Sequence, residues 1–218
     1  MIYMVLIWGG MILVGIGAIA WGILAEKKRR ETIAQTVEEL GLRLASDLDE
    51  SDRNVFDTCQ LAQQGHSRQV SNVIVADSGE LRMVLFDYLY KISNGKNSTT
   101  YKQSVVLVRS PALRMPEFTI SPEGFFHRIL EMFGAKDIDF EEDRVFSDLF
   151  LLRGTREQEV RSFFNAQRRQ QFAKHANIHL ESKASAFLYY RPRHRWNADG
   201  IKQAMEQAFE VYRVLAAE

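Results

Sequence analysis

The chain has 218 residues, and its 28 Lys and Arg are balanced by 28 Asp and Glu, giving a formal net charge of zero. That balance argues against a general nucleic-acid binder, whose affinity rests on a net basic surface. The single cysteine, Cys59, excludes an intrachain disulfide and fits a reducing compartment.

Residues Ile2 to Ala25, IYMVLIWGGMILVGIGAIAWGILA, carry no charge, and Lys27, Lys28, Arg29 and Arg30 follow almost at once. As a helix the stretch reaches about 36 Å, against a hydrocarbon core of about 30 Å, so residues 1–25 are expected to form a transmembrane anchor. A cleaved signal peptide would place its positive charge before a shorter core. The basic run sets the C-terminal end on the cytoplasmic side by the positive-inside rule. The expectation is a single-pass inner-membrane protein with its N-terminus outside. Gly15, Ala18, Gly22 and Ala25 share one helical face, a candidate for self-association through close helix approach.

Every charged residue lies beyond Ala25, so the remainder is itself neutral and long enough for one domain. Residues 26–45 read as a juxtamembrane helical stalk: Ile33, Val37 and Leu40 recur at helical spacing, Gly41 is a stop, and the apolar stripe is expected to pack on the domain. Residues 46–218 form the domain. Asp47 to Gln64 suits one short helix, with His66 and Arg68 in a loop.

From Val70 the pattern becomes strand. VSNVIVA, ELRMVLFDYLYKI and YKQSVVLVRS, separated by Asp77-Ser78-Gly79 and by the looser NGKNSTT, predict a three-stranded antiparallel meander. In the central strand Asp87 falls on a face otherwise made by Leu81, Met83, Leu85 and Leu89. A buried carboxylate needs a donor, and Arg109, Arg114 or a backbone amide are candidates. Ser121 and Pro122 read as the start of a helix with Phe125, Phe126, Ile129, Leu130 and Phe133 inside and Gly134 at its end. VFSDLFLLRG reads as a strand. Thr155 with Gln158 suggests a capping box for a helix burying Val160, Phe163 and Phe164. Strands at Asn177 to Leu180 and Ser185 to Arg191 follow, and Asn197 caps a last helix with Ile201, Ala204, Met205, Ala208, Phe209, Tyr212 and Leu215 as its stripe. The order β-β-β-α-β-α-β-β-α predicts a mostly antiparallel α+β domain.

Motifs that carry chemistry are scarce. His175 and His179 have the i, i+4 spacing of a metal pair, but HANIH lacks the Glu of HExxH. DIDFEED, residues 137–143, lacks the frame of a calcium loop. There is no GxSxG, Walker A loop or CxxC, so no metal, cofactor or catalytic residue is assigned. Tyr189 to Trp196, YYRPRHRW, interleaves Arg191, Arg193 and Arg195 with aromatic residues. Arg191, Arg193, Arg195 and Trp196 are therefore candidates for contact with anionic lipid.

The anchor with its basic run, LFDYLY at 85–90, YKQSVVLV at 101–108, LRMPEFTISPE at 113–123, KDIDF at 136–140 and LLRG at 151–154 together resemble a family of single-pass bacterial membrane proteins. The resemblance implies an inner-membrane location and no activity, catalytic residue or cofactor. The expected function is thus a membrane-anchored, non-enzymatic adaptor or scaffold with a protein partner. The alternatives are an enzyme with a polar site at Asp87, Tyr90 and Arg114, or a module touching lipid through residues 189–196.

Overall fold

The computed structural model describes residues 2–123, 137–175 and 177–217, with side chains from 17 onward except 19. Helix α1 spans Ile2–Glu39 without a break. It ends where Gly41 takes the left-handed conformation, φ 64°, and Leu42 N–H donates to the Val37 carbonyl at 2.9 Å, a closure glycine permits without strain. Among the described residues no helix is long and apolar enough to cross a membrane. Most of the expected anchor lies where side chains are outside those described.

The chain continues as β1 (Arg43–Ala45), α2 (Glu50–Asp57), α3 (Gln60–Gln63), β2 (His66–Asp77), β3 (Arg82–Asn94), β4 (Asn97–Arg109) and β5 (Phe118–Pro122). Then come α4 (Arg144–Leu149), β6 (Phe150–Gly154), α5 (Glu157–Phe163), α6 (Ala166–Phe172), β7 (His179–Lys183), β8 (Ala186–Tyr190) and α7 (Ala198–Ala216). The strands form an eight-stranded sheet in the order β1-β2-β3-β4-β8-β7-β5-β6, and every neighbouring pair is antiparallel. This is the mostly antiparallel α+β architecture expected from the sequence.

Alternation along the strands gives the sheet two buried faces. On one, Leu85, Val106, Val108 and Phe187 meet Ile33 and Val37 of α1 and Ile201, Ala204, Ala208 and Val211 of α7. On the other, Val84, Phe86, Tyr88 and Leu107 meet Phe56, Cys59 and Leu61 of α2 and α3. Ile33 and Val37 of the stalk stripe therefore pack on the domain, while Leu40 stands exposed. In α7, Asn197 caps as expected by accepting from Gly200 N–H at 3.0 Å, while Phe209 of the expected stripe stands 39% exposed.

Several expectations are corrected. Arg43–Ala45 belongs to the sheet rather than the stalk, and His66 and Arg68 lie in β2, not in a loop. Asp47 to Gln64 holds two short helices, with Cys59 at the cap of the second. NGKNSTT is not a loose turn: Asn94 pairs directly with Asn97, leaving Gly95, φ 62°, and Lys96 as a two-residue turn. Ser121 and Pro122 lie in β5, and the helix predicted beyond them falls outside the described residues. VFSDL is helical because Asp143 caps α4 by accepting from Phe146 N–H at 3.1 Å; only FLLRG is strand. Thr155 and Gln158 form no capping box, since Arg156 is the cap residue of α5 and its side chain makes no cap bond.

Gly65, φ 55°, precedes β2 where any Cβ would overlap the Lys91 carbonyl. Gly65→Ala is expected to lower Tm by at least about 3 °C in a thermal-unfolding scan, from the left-handed backbone cost alone.

Candidate functional site

Asp87 sits on central strand β3 beneath α1, 6% exposed. Its Oδ2 accepts from Arg29 Nη1 at 2.6 Å and from Asn72 Nδ2 at 2.8 Å. Its Oδ1 accepts from Ser104 Oγ at 2.6 Å and from Arg29 Nη2 at 3.2 Å. The Arg29 guanidinium thus grips the carboxylate with two nitrogens, the strong and directional form of this pairing. Each donor has a local reason to be there. Arg29 lies on the α1 face that also presents Ile33 and Val37 to the sheet. Asn72 takes φ 52° at an irregularity between Ser71 and Ile74 in β2, a conformation that Asn tolerates. Ser104 is the β4 residue directly opposite Asp87.

The segment before α7 closes the cluster from above. Trp196 carbonyl accepts from Arg29 Nη2 at 2.6 Å, Trp196 N–H donates to Ser104 Oγ at 3.1 Å, and His194 carbonyl accepts from Ser104 N–H at 2.8 Å. Arg195 reaches 3.6 Å from Asp87 and donates to both oxygens of Glu26 at 2.8 and 3.0 Å. The Arg195 hydrogen bond holds the Glu26 carboxyl below its usual range, against a smaller opposing effect of burial. Four chain segments, α1, β2, β3–β4 and 194–196, therefore meet at one carboxylate.

On the opposite face lies a small cavity of about 40 Å³, lined by Gln64, Tyr90, Gln103, His179, Glu181 and Tyr190 among others. That volume accommodates a few waters at most. Glu181 is wholly buried and accepts from the Gln60 and Leu61 amides at 2.5 and 3.0 Å, so it caps α3 from across the sheet. Burial pushes its pKa up. The His179 ring stacks on Tyr190 with centroids 5.3 Å apart, and burial pushes its pKa down to about 4. Asp52, also buried, accepts from Arg82 at 2.7 Å and Arg109 at 2.7 Å and so fastens α2 to the sheet.

The residues singled out in the sequence fall as follows. Asp87 is where expected, but its donors are Arg29, Asn72 and Ser104, not Arg109, Arg114 or a backbone amide. Tyr90 lies on the other face, stacked on Tyr101 at 5.1 Å, and Arg114 is exposed in the β4–β5 connection, so the three do not converge. Arg191 donates to Gln207 at 3.2 Å, Arg195 is engaged by Glu26 and Asp87, and Trp196 is 5% exposed and stacked on Tyr189 at 6.1 Å. Only Arg193 of that group is exposed, its guanidinium over Tyr101 at 4.8 Å. His175 ends the turn after α6 and His179 is in β7; among the described residues no three His, Cys, Asp or Glu could hold a metal. Ala18, Gly22 and Ala25 are exposed on α1, whereas the side-chain position of residue 15 lies outside those described. Sequence reasoning missed Arg29, Asn72 and Ser104. The available signal was small polar residues at inward positions of otherwise apolar strands.

Removing one partner of a buried ion pair costs about 3–5 kcal/mol. Arg29→Ala and Asp87→Ala are each expected to lower Tm by roughly 6–20 °C in thermal unfolding, and the double variant by much less than the sum. His179 has its folded pKa below the unfolded value of 6.5, so its contribution is present above pH 6.5 and is lost as pH falls toward about 4. Between pH 7 and 4 the wild-type chain is expected to lose about 3 kcal/mol more stability than His179→Gln, as read from denaturant midpoints. Glu181, whose pKa burial raises, pulls the other way.

No family model and no curated protein matches the sequence. Among solved structures the chain is similar to the crystal structure of the mycobacterial trehalose monomycolate transport factor A, TtfA, with TM-score 0.57 and 9% identity over 86% of this chain and 94% of that chain. At that identity the likeness concerns the fold: one antiparallel sheet with helices packed on it.

Proposed function

We propose that the protein is a membrane-anchored, non-enzymatic adaptor. The first part of α1 crosses the inner membrane with its N-terminus outside, and the α+β domain on the cytoplasmic side offers its surface to a protein partner. The observation that carries the reading is the joint just described. One helix runs unbroken from Ile2 to Glu39, and Arg29, four residues beyond the uncharged stretch, is fastened to Asp87. Anchor and domain would then move as one body, which suits a scaffold that holds a partner at a fixed distance from the bilayer.

Two further observations support it. Trp21, Ile23 and Leu24 project away from the domain, 77%, 65% and 65% exposed, as side chains facing lipid would. Among the described residues the buried carboxylates Asp52, Asp87 and Glu181 each hold a helix to the sheet. The name of the structural neighbour, a transport factor, is in keeping with an accessory role. The exposed Ala18, Gly22 and Ala25, with Gly15 on the same helical face, let two anchors approach closely.

Protease added outside intact spheroplasts is expected to leave the domain uncut. Crosslinking of the tagged full chain in membranes, with the photoreactive residue on the exposed domain surface, is expected to recover one partner repeatedly. Digestion from outside would contradict the topology, and repeated recovery of no partner would contradict the adaptor role. Ala18→Leu with Gly22→Leu is expected to reduce any homodimer captured by several-fold without altering membrane insertion.

A further inference from the structure

We infer that the β3–β4 hairpin, together with Arg193, forms a basic surface that lies against anionic lipid headgroups beside the anchor; this rests on the membrane anchoring proposed above. Direction comes first. Arg29 of α1 meets Asp87, and after α1 the chain returns as β1, where Arg43 pairs with Val75, itself opposite Val84. Moving toward the C-terminus of α1 thus means moving back along β3. Moving toward the anchor means moving forward along β3 to the turn at Asn94 and Asn97. The anchor and the hairpin tip leave the domain on the same side.

Reach follows from geometry. Arg29 to Ala25 is about 6 Å of helix, whereas Asp87 to Asn94 is about 23 Å of strand. Even inclined by half a right angle, the hairpin extends to the level of the headgroups. Its surface suits that layer. Residues 93–100 are all exposed and polar, which fits neither hydrocarbon nor an apolar protein groove.

Charge decides the partner. No Asp or Glu occurs in residues 66–70, 88–103 or 190–196, which build this end, and Glu26 beside them is paired with Arg195. Lys96, Lys102, Arg68 and Arg193 are exposed there, with Lys91 half-buried. Lys91 and Lys102 lie at strand positions on the same face as Asp87 and Ser104, the face that carries α1. Because the whole chain is neutral, the acids gather elsewhere: Asp49, Asp52 and Asp77 converge on Arg82 at the far end of β3. The domain is therefore polarised, with its basic end toward the anchor. Each basic group near an anionic surface favours contact about fivefold, and salt screens the effect. Nucleic acid fits less well, because Tyr90 and Tyr101 stack on each other and Arg193 covers Tyr101, leaving no open ring for a base.

The test uses the full chain in nanodiscs of phosphatidylcholine, with or without phosphatidylglycerol. A fluorophore is placed through Asn97→Cys, or through Glu80→Cys at the opposite end, and read by quenching with neutral acrylamide. Phosphatidylglycerol is expected to cut quenching of the Asn97 probe by about threefold or more, with no change for the Glu80 probe. High salt, or Lys91→Gln with Lys96→Gln and Lys102→Gln, is expected to restore quenching. Equal quenching in both discs, or protection by a single-stranded oligonucleotide in place of anionic lipid, would overturn the inference while leaving the anchor standing. Release of the wild-type chain from the discs at high salt would overturn the anchoring itself, and the inference with it.

Discussion

One buried ion pair, Arg29 with Asp87, joins the helix that leads out of the domain to the strand at its centre. A carboxylate taken out of water needs a full set of donors, and this one draws them from Arg29 in α1, from the irregular Asn72 in β2 and from Ser104 in β4, while the Trp196 backbone bonds Arg29 and Ser104 in turn. Leaving any of these unpaired in a low-dielectric interior is costly. The pair therefore fixes the position of α1 on the sheet more narrowly than the apolar contacts of Ile33 and Val37 do, since hydrophobic packing is non-directional.

The same device recurs on the other face. Asp52 gathers Arg82 and Arg109 to hold α2, and Glu181 accepts two amides at the start of α3. In each case an acid on one element fixes another that is distant in sequence. Polar groups committed in this way fix one element against another with a direction that apolar packing lacks.

What could be read in the sequence followed from local periodicity. The β2–β3–β4 meander, the last helix with its Asn197 cap and the inward stripe of the stalk all have strong patterns and few competitors. Asp87 was recognisable as a buried acid in need of a donor, but Arg29 lies 58 residues away and reads as one more cation in a membrane-flanking run. Short elements were the other source of error. Three residues of β1 carry no periodicity, and Ser121-Pro122 has the chemistry of a helix start yet pairs with β6. The composition of YYRPRHRW suggests an exposed surface, but a left-handed residue at Arg193, φ 60°, turns the chain so that Trp196 folds in against Tyr189.

The rigid joint is tested most directly by a distance. Spin labels at Lys28 on α1 and Thr100 on β4, in the full chain held in lipid nanodiscs, report by pulsed electron resonance whether the helix keeps one position on the sheet. A single narrow distance distribution in the wild-type chain, broadened or split by Asp87→Ala, is the result the account predicts. A broad distribution in the wild type, or a narrow one that Asp87→Ala leaves unchanged, would contradict it.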